Sequence, residues 1–230
     1  MGQQLKIPLM VLAVAAFFSG GTVMATETPE YTVLYNDAGI EYRQYAPYLV
    51  AETIVADVSG YKASGNEGFR RLFRYITGAN EAAESIAMTA PVARSEAGEK
   101  IAMTAPVARN QTTAGESVSF MLPSKYTLET APLPTDSRVN IRPVSSRLVA
   151  VIRYRGRWTD SNYDEQSKTL LAGVKNAGVM TIGSVQSALY DAPYVPPFMR
   201  RNEVMIEVAE LPAMAEQTSL AGADEVVAYR

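Results

Sequence analysis

The chain has 230 residues, 21 of them Lys or Arg, 24 Asp or Glu, and none His or Cys. Without Cys there are no disulfides, thiolate metal sites or Cys nucleophiles; without His the commonest general base and metal ligand are gone. A net charge of −3 argues against nucleic acid as a partner, because phosphate binding is carried by excess Lys and Arg.

In chain order, the first 25 residues have the pattern of a signal peptide. Lys6 gives a positive start, residues 7–18 an apolar run, and Val23-Met24-Ala25 a small-x-small cleavage site that leaves Thr26 near the new N-terminus. The run is too short to span a bilayer, which takes about 20 residues. The lack of Cys excludes a lipoprotein signal. Export of a bacterial type, to the periplasm or beyond, is expected, and no other segment is apolar enough to cross a membrane. Cleavage removes one basic residue and no acidic one, so the net charge of the processed chain becomes −4.

Tyr31–Tyr35 and Ile40–Tyr45 alternate around the turn Asn36-Asp37-Ala38-Gly39, and residues 48–58 form a third strand rich in β-branched residues. After a loop over 60–65 the period changes. Phe69, Leu72, Phe73 and Ile76 recur at helical spacing, Arg70, Arg71 and Arg74 lie off that stripe, and Gly78 suits a helix stop, so residues 66–76 are expected to be helical.

Next comes a perfect repeat: Ile86-Ala-Met-Thr-Ala-Pro-Val-Ala-Arg94 recurs at 101–109. The polar spacer 95–100 contains Gly98, which suits a turn, so both copies are expected to be extended, as the arms of a hairpin. Further strands are expected at 117–122, 139–144, 148–154, 184–190 and 203–208. A Pro-rich crossing loop covers 123–136, and a second helix spans 163–177 behind the capping cluster Thr159-Asp160-Ser161. Residues 191–199 make an aromatic, proline-stiffened loop, and 209–230 read as a loosely ordered tail.

Two strand–helix–strand halves joined by a Pro-rich link give an α+β fold. The expected architecture is a distorted, mainly antiparallel β-barrel of two pseudo-repeated halves with two flanking helices, one domain over 26–208.

Several blocks are similar to the SOUL haem-binding family, in its order. They are Gly65-Asn-Glu-Gly-Phe-Arg-Arg-Leu-Phe73, Tyr75-Ile-Thr-Gly-Ala-Asn80, the two Ile-Ala-Met-Thr-Ala-Pro-Val copies, Tyr126-Thr-Leu-Glu-Thr130, Gly156-Arg-Trp158 and Arg200-Arg-Asn-Glu-Val204. The resemblance covers about 31–208, and the doubled repeat and the Arg-Arg-Asn-Glu-Val block look like the bacterial branch. It implies binding of haem or another tetrapyrrole, placed against the first helix and the loop before the last strand. That carry-over points to Phe69, Phe73 and Arg74 on the helix, with Tyr194, Phe198 and Met199 in the loop. Members that ligate iron through His carry it where Gln44 stands here, so an imidazole-ligated haem is impossible.

A porphyrin needs an apolar wall and cations at its rim for the propionates. Phe69, Leu72, Phe73 and Ile76 beside Arg70, Arg71 and Arg74 supply both residue types. The same residues also fit an ordinary core stripe with a solvated face. Met88, Met103, Met121 and Met199 are soft residues that suit iron ligation or plastic lining, and 13 Tyr are too many to choose among. Asp160, Asp164 and Glu165 gather where a helix dipole favours acids, and Lys62, Lys100 and Lys125 have no identifiable partner. No nucleophile elbow, phosphate loop or metal cluster is present in the pattern.

The expected function is therefore a non-enzymatic carrier or buffer for a tetrapyrrole or similar hydrophobic small molecule. A small-molecule or protein interaction module on the same barrel is the alternative, and an enzyme acting on tetrapyrroles the third reading.

Overall fold

The computed structural model describes residues 26–56, 61–81 and 98–215. The expected signal peptide, the first repeat copy with its Met88, and the tail beyond 215 lie outside the described residues.

Eleven strands and two α-helices follow one another as β1 (Tyr31–Asp37), β2 (Ile40–Tyr45), β3 (Tyr48–Val55), α1 (Tyr61–Ile76), β4 (Asn80–Glu81), β5 (Val107–Thr112), β6 (Gly115–Met121), β7 (Leu133–Pro134), β8 (Val139–Val144), β9 (Arg147–Tyr154), α2 (Asp160–Asn176), β10 (Thr181–Leu189) and β11 (Asn202–Val208). Nine strands form one antiparallel sheet in the order β1-β2-β9-β11-β10-β5-β6-β3-β8, and β4 pairs with β7 in a short ribbon. The sheet stays open between β1 and β8, so the expected barrel is only approximate.

The expected pseudo-repeat is present in the topology. One half is β2, β3, α1, β5 and β6; the other is β8, β9, α2, β10 and β11. Each half keeps three strands together, but its first strand crosses over: β2 pairs with β9 and β8 with β3. The order β2-β9-β11-β10-β5-β6-β3-β8 therefore reads the same from either end once the halves are exchanged.

Strand alternation gives the sheet two faces. On one face α1 packs over β3 and β6, burying Leu72, Tyr75 and Ile76 with Ala51, Val118 and Phe120. Beside it α2 packs over β9, β10 and β11, burying Leu170 and Val174 with Tyr42, Ala150, Val204 and Ile206. The opposite face carries Tyr45, Val149, Val151, Ala188 and Met205. That face also holds charge. Arg43 of β2 reaches Glu203 of β11, and Arg142 of β8 reaches Glu52 of β3, so each crossed strand brings an arginine to a glutamate of the other half.

Helix α1 starts five residues before the expected 66, although Ser64 and Gly65 read as loop. Close approach explains the glycines. A Cβ at Gly65 would lie 2.7 Å from the Arg109 guanidinium, and one at Gly68 would lie 2.6 Å from the Val118 Cβ. Helix α2 begins at Asp160, with Thr159 as N-cap accepting from the Asn162 amide. It ends ahead of Gly178, which has φ +73°.

The second repeat copy is extended only from Val107; Ile101–Pro106 runs outside any ladder. Its amides bond singly, Ile101 to the Ile76 carbonyl and Ala105 to that of Glu27. The hairpin it does form is with β6, through a tight turn at 113–114. The chain also stays packed past Glu210: Leu211 joins the α2 cluster and Ala215 is buried.

Candidate functional site

Helix α1 buries one side and leaves two unlike flanks, because residues four apart share a side and neighbours turn through about 100°. Phe69 and Phe73 form the first flank. Their rings stack at 5.8 Å with 13° between planes, and Phe69 meets Phe120 edge-on at 5.2 Å. Phe69 is half-buried, whereas Phe73 keeps 44% of its surface exposed. Phe120 pairs with Val107 of β5, which pairs with Leu189 of β10. This row runs from beneath the aromatic flank to the root of the loop 190–201.

Arg71 and Arg74 mark the second flank. They line a cleft of about 400 Å³ together with Tyr75, Ala79, Pro134, Thr135, Asp136 and Ser137. Arg71 is tied down by Glu67, the Thr53 hydroxyl and the Ile54 carbonyl. Arg74 is exposed and, among the described residues, donates to the Arg70 carbonyl at 3.4 Å. Burial pushes the Tyr75 phenol well up, with Tyr126 and Glu99 adding to it, and its hydroxyl donates to the Pro132 carbonyl. Hydrogen bonds from Arg138 hold Asp136 well below the usual carboxylate range. The walls are thus polar, and Arg74 opens on a different flank from Phe73.

The loop before β11 is braced along its length. Arg200 stacks on Trp158 at 4.4 Å and donates to the carbonyls of Val195 and Pro193. Arg155 donates to the Phe198 carbonyl, and the Gly156 amide to that of Pro197. Trp158 itself donates to Asn202, which returns a bond to the Gly156 carbonyl. This scaffold holds a 3-10 turn, Pro197–Met199, with Tyr194, Phe198 and Met199 pointing into solvent.

Of the eight residues expected at the site, Phe73, Arg74, Tyr194, Phe198 and Met199 present surface, and Phe69 does so in part. Leu72 and Ile76 do not: at 0% and 4% exposure they belong to the α1 core and can only back the wall from behind. Here the ordinary core reading of the stripe holds. Met121 is buried and Met103 half-exposed. Gln44 lies on β2, hydrogen-bonded to Ser146, with β9, β11, β10 and β5 between its strand and β6. The bracing by Trp158, Arg155 and Arg200 has no signal of its own in the sequence, although the blocks 156–158 and 200–204 both belong to the family resemblance.

Buried polar groups lie elsewhere. Ser64, Arg109 and Glu116 meet beneath α1, Ser64 donating to Glu116 and Arg109 pairing with it. Among the described residues no three of His, Cys, Asp and Glu cluster closely enough to hold a metal ion, and no helix is long and apolar enough to cross a membrane.

Comparison with known proteins adds one family and a fold. The family model described as SOUL heme-binding protein matches residues 26–207. No curated protein matches. Among solved structures, the EcmrR C-terminal domain is similar with a TM-score of 0.53 at 8% identity, covering 79% of this chain and 99% of that one. EcmrR in its complex with DNA gives 0.52 at 8%, covering 75% and 57%. A protein described as a hydrolase from Listeria innocua gives 0.45 at 10%, covering 76% and 94%. At 8% identity the likeness to EcmrR is one of fold.

Proposed function

The chain belongs to the SOUL heme-binding protein family, and from that premise we propose that it binds haem or a related tetrapyrrole, without enzymatic turnover, on the aromatic flank of α1. The observation that carries this reading is Phe73, stacked flat on Phe69 and left 44% exposed. A half-bare aromatic pair on a rigid helix is a ready apolar wall for a planar ring. Phe69 and Phe73 would face the macrocycle, with Leu72 and Ile76 fixing them from the core. Arg74 opens on the neighbouring flank, and its charge, with no acid paired with it among the described residues, would meet a propionate whose arm reaches around the helix from Phe73. Tyr194, Phe198 and Met199 would have to reach the same ring from the braced loop at the far end of the Phe120–Val107–Leu189 row. The macrocycle would supply its iron and its ring chemistry; the protein supplies apolar contact and a cation.

The chain contains no His, so protein imidazole ligation is excluded. Binding would then rest mostly on apolar contact, and Tyr or Met are the side chains left that could hold the iron. The signal-peptide pattern at 1–25 supports a carrier or buffer role outside the cytoplasm of a bacterium, and the acidic net charge speaks against nucleic acid as a competing partner.

Haemin titration of the purified protein tests the reading. A saturable Soret shift near one equivalent supports it. No shift, or one that never saturates, leaves the family barrel as an interaction module for another molecule.

A further inference from the structure

The loop 190–201 carries the same three side chains that the haem reading enlists, and its surroundings fit a second contact that needs no haem. Tyr194, Phe198 and Met199 are 88%, 69% and 61% exposed, yet the backbone that carries them is pinned at four carbonyls by Arg155, Gly156 and Arg200. A large apolar cluster held in water marks a surface that meets something apolar.

Charge indicates what that is. The segment beneath the loop runs Arg153, Arg155, Arg157, all exposed, and Arg200 sits against Trp158 beside them. Among the described residues none of these four is paired with an acidic side chain. Of the acids near them, Glu203 is fully buried between Arg43 and Arg201 and Asp191 accepts the Arg201 amide, while Asp160, three residues past Arg157, is exposed. A chain of net charge −3 thus sets two arginines, Arg155 and Arg200, against the loop that carries the apolar tip, with Arg153 and Arg157 exposed on either side of Arg155 in sequence. Apolar side chains that reach the headgroup–acyl boundary, ringed by cations that meet phosphates, complement an anionic lipid surface.

We propose that this loop docks the protein on an anionic bilayer, with Tyr194, Phe198 and Met199 entering the interface and Arg153, Arg155 and Arg157 on the lipid phosphates. Co-sedimentation with phosphatidylcholine vesicles, with and without phosphatidylglycerol, tests it on protein recovered after expression of the full chain, its N-terminus checked by intact mass. Trp158, the chain's one tryptophan, lies under the loop and reports docking by fluorescence. Binding is expected only with phosphatidylglycerol, and is expected to weaken as salt rises.

Each interfacial arginine is worth roughly a fivefold change in affinity. Arg153→Gln with Arg157→Gln, neither of which holds the loop, should therefore weaken binding by more than about tenfold in a protein with unchanged circular dichroism. Tyr194→Ser with Phe198→Ser should also abolish the fluorescence change, since Phe198 braces the loop only through its carbonyl. Equal binding to both vesicle types, binding to neither, or an arginine double variant that binds like the parent overturns the proposal. So does a concentration-dependent dimer in light scattering that Tyr194→Ser dissolves, which would assign the loop to a second copy. None of these measurements contains haem, so failure of the haemin titration and failure here are separate results.

Discussion

Glu203, with none of its surface exposed, receives both terminal nitrogens of Arg43, at 2.9 and 3.2 Å, across 160 residues of sequence. Tyr190 and Arg201 complete its shell, and Arg43 is satisfied in turn by Glu41 and Tyr45 and lies over the Tyr31 ring. Burial is the largest influence on Arg43 and works against its charge, but the hydrogen bonds and charge of Glu203 together with Tyr45 outweigh it and hold the guanidinium protonated. Glu203→Gln removes the anion and leaves Arg43 buried beside it. Breaking one side of such a pair costs about 3–5 kcal/mol, read as a shift in urea midpoint. A loss below about 1 kcal/mol would mean that water or another acid replaces Glu203.

At the aromatic flank, Phe73→Ala should weaken haemin binding while the protein stays folded, because nearly half of the ring lies outside the core. Arg74→Ala should cost up to about 1.5–3 kcal/mol of haemin affinity if the propionate contact is desolvated, and less as solvent screens it. Folded variants with unchanged affinity would move the site away from α1. A bis-imidazole low-spin spectrum from the monomer would contradict the assignment outright, since the chain has no imidazole.

For export, intact mass or N-terminal sequencing of protein from a bacterial host should show cleavage after Ala25 or within about two residues of it. A full-length, membrane-bound product would overturn the signal-peptide reading of 1–25.

Acid sensitivity should run through Glu52. Its carboxylate accepts from Arg142 and Ser117, and the Arg142 hydrogen bonds keep it below the ordinary glutamate value of 4.5 despite burial. A depressed acid stabilises the fold above that ordinary value and loses its contribution as pH falls through the lowered one. The stability gap between the parent and Glu52→Gln should therefore be widest near neutrality and close below pH 4.5. A gap that grows on acidification would reverse the assignment.

Gly68→Ala should destabilise the protein even though alanine favours helix by about 1 kcal/mol. The added carbon meets Val118, which is fully buried and has nowhere to go. Overpacking of this kind costs about 1–3 kcal/mol, measurable by thermal unfolding. A variant more stable than the parent would show that α1 can lift off β6.

Much of this was legible from local pattern. The bounds of β2 and β8 match their expected ranges, because alternation there is bounded by turn residues on both sides. The start of α1 was hidden because Ser64 and Gly65 are poor helix formers, and only the approach of Arg109 and Val118 explains the glycines there. The second repeat copy misled for a related reason. Ile101–Pro106 has strand-like residues but bonds one amide at a time to α1 and to the N-terminal segment, while the polar Asn110-Gln-Thr112 is what extends β5. At the site, helical spacing found Phe69 and Phe73, but it could not divide them from Leu72 and Ile76. That division depends on which side of α1 the sheet occupies.

The crossing of β2 and β8 makes the molecule the single-chain counterpart of two subunits that trade their first strands. Neither half owns a complete sheet: severed in the Pro-rich link, each fragment would expose the strand edge its sibling had covered. The arginines on the traded strands would then lose their glutamates at the same moment. Two such pieces should be inert apart and recover structure when mixed. A lone half should satisfy the same pairing by finding a copy of itself.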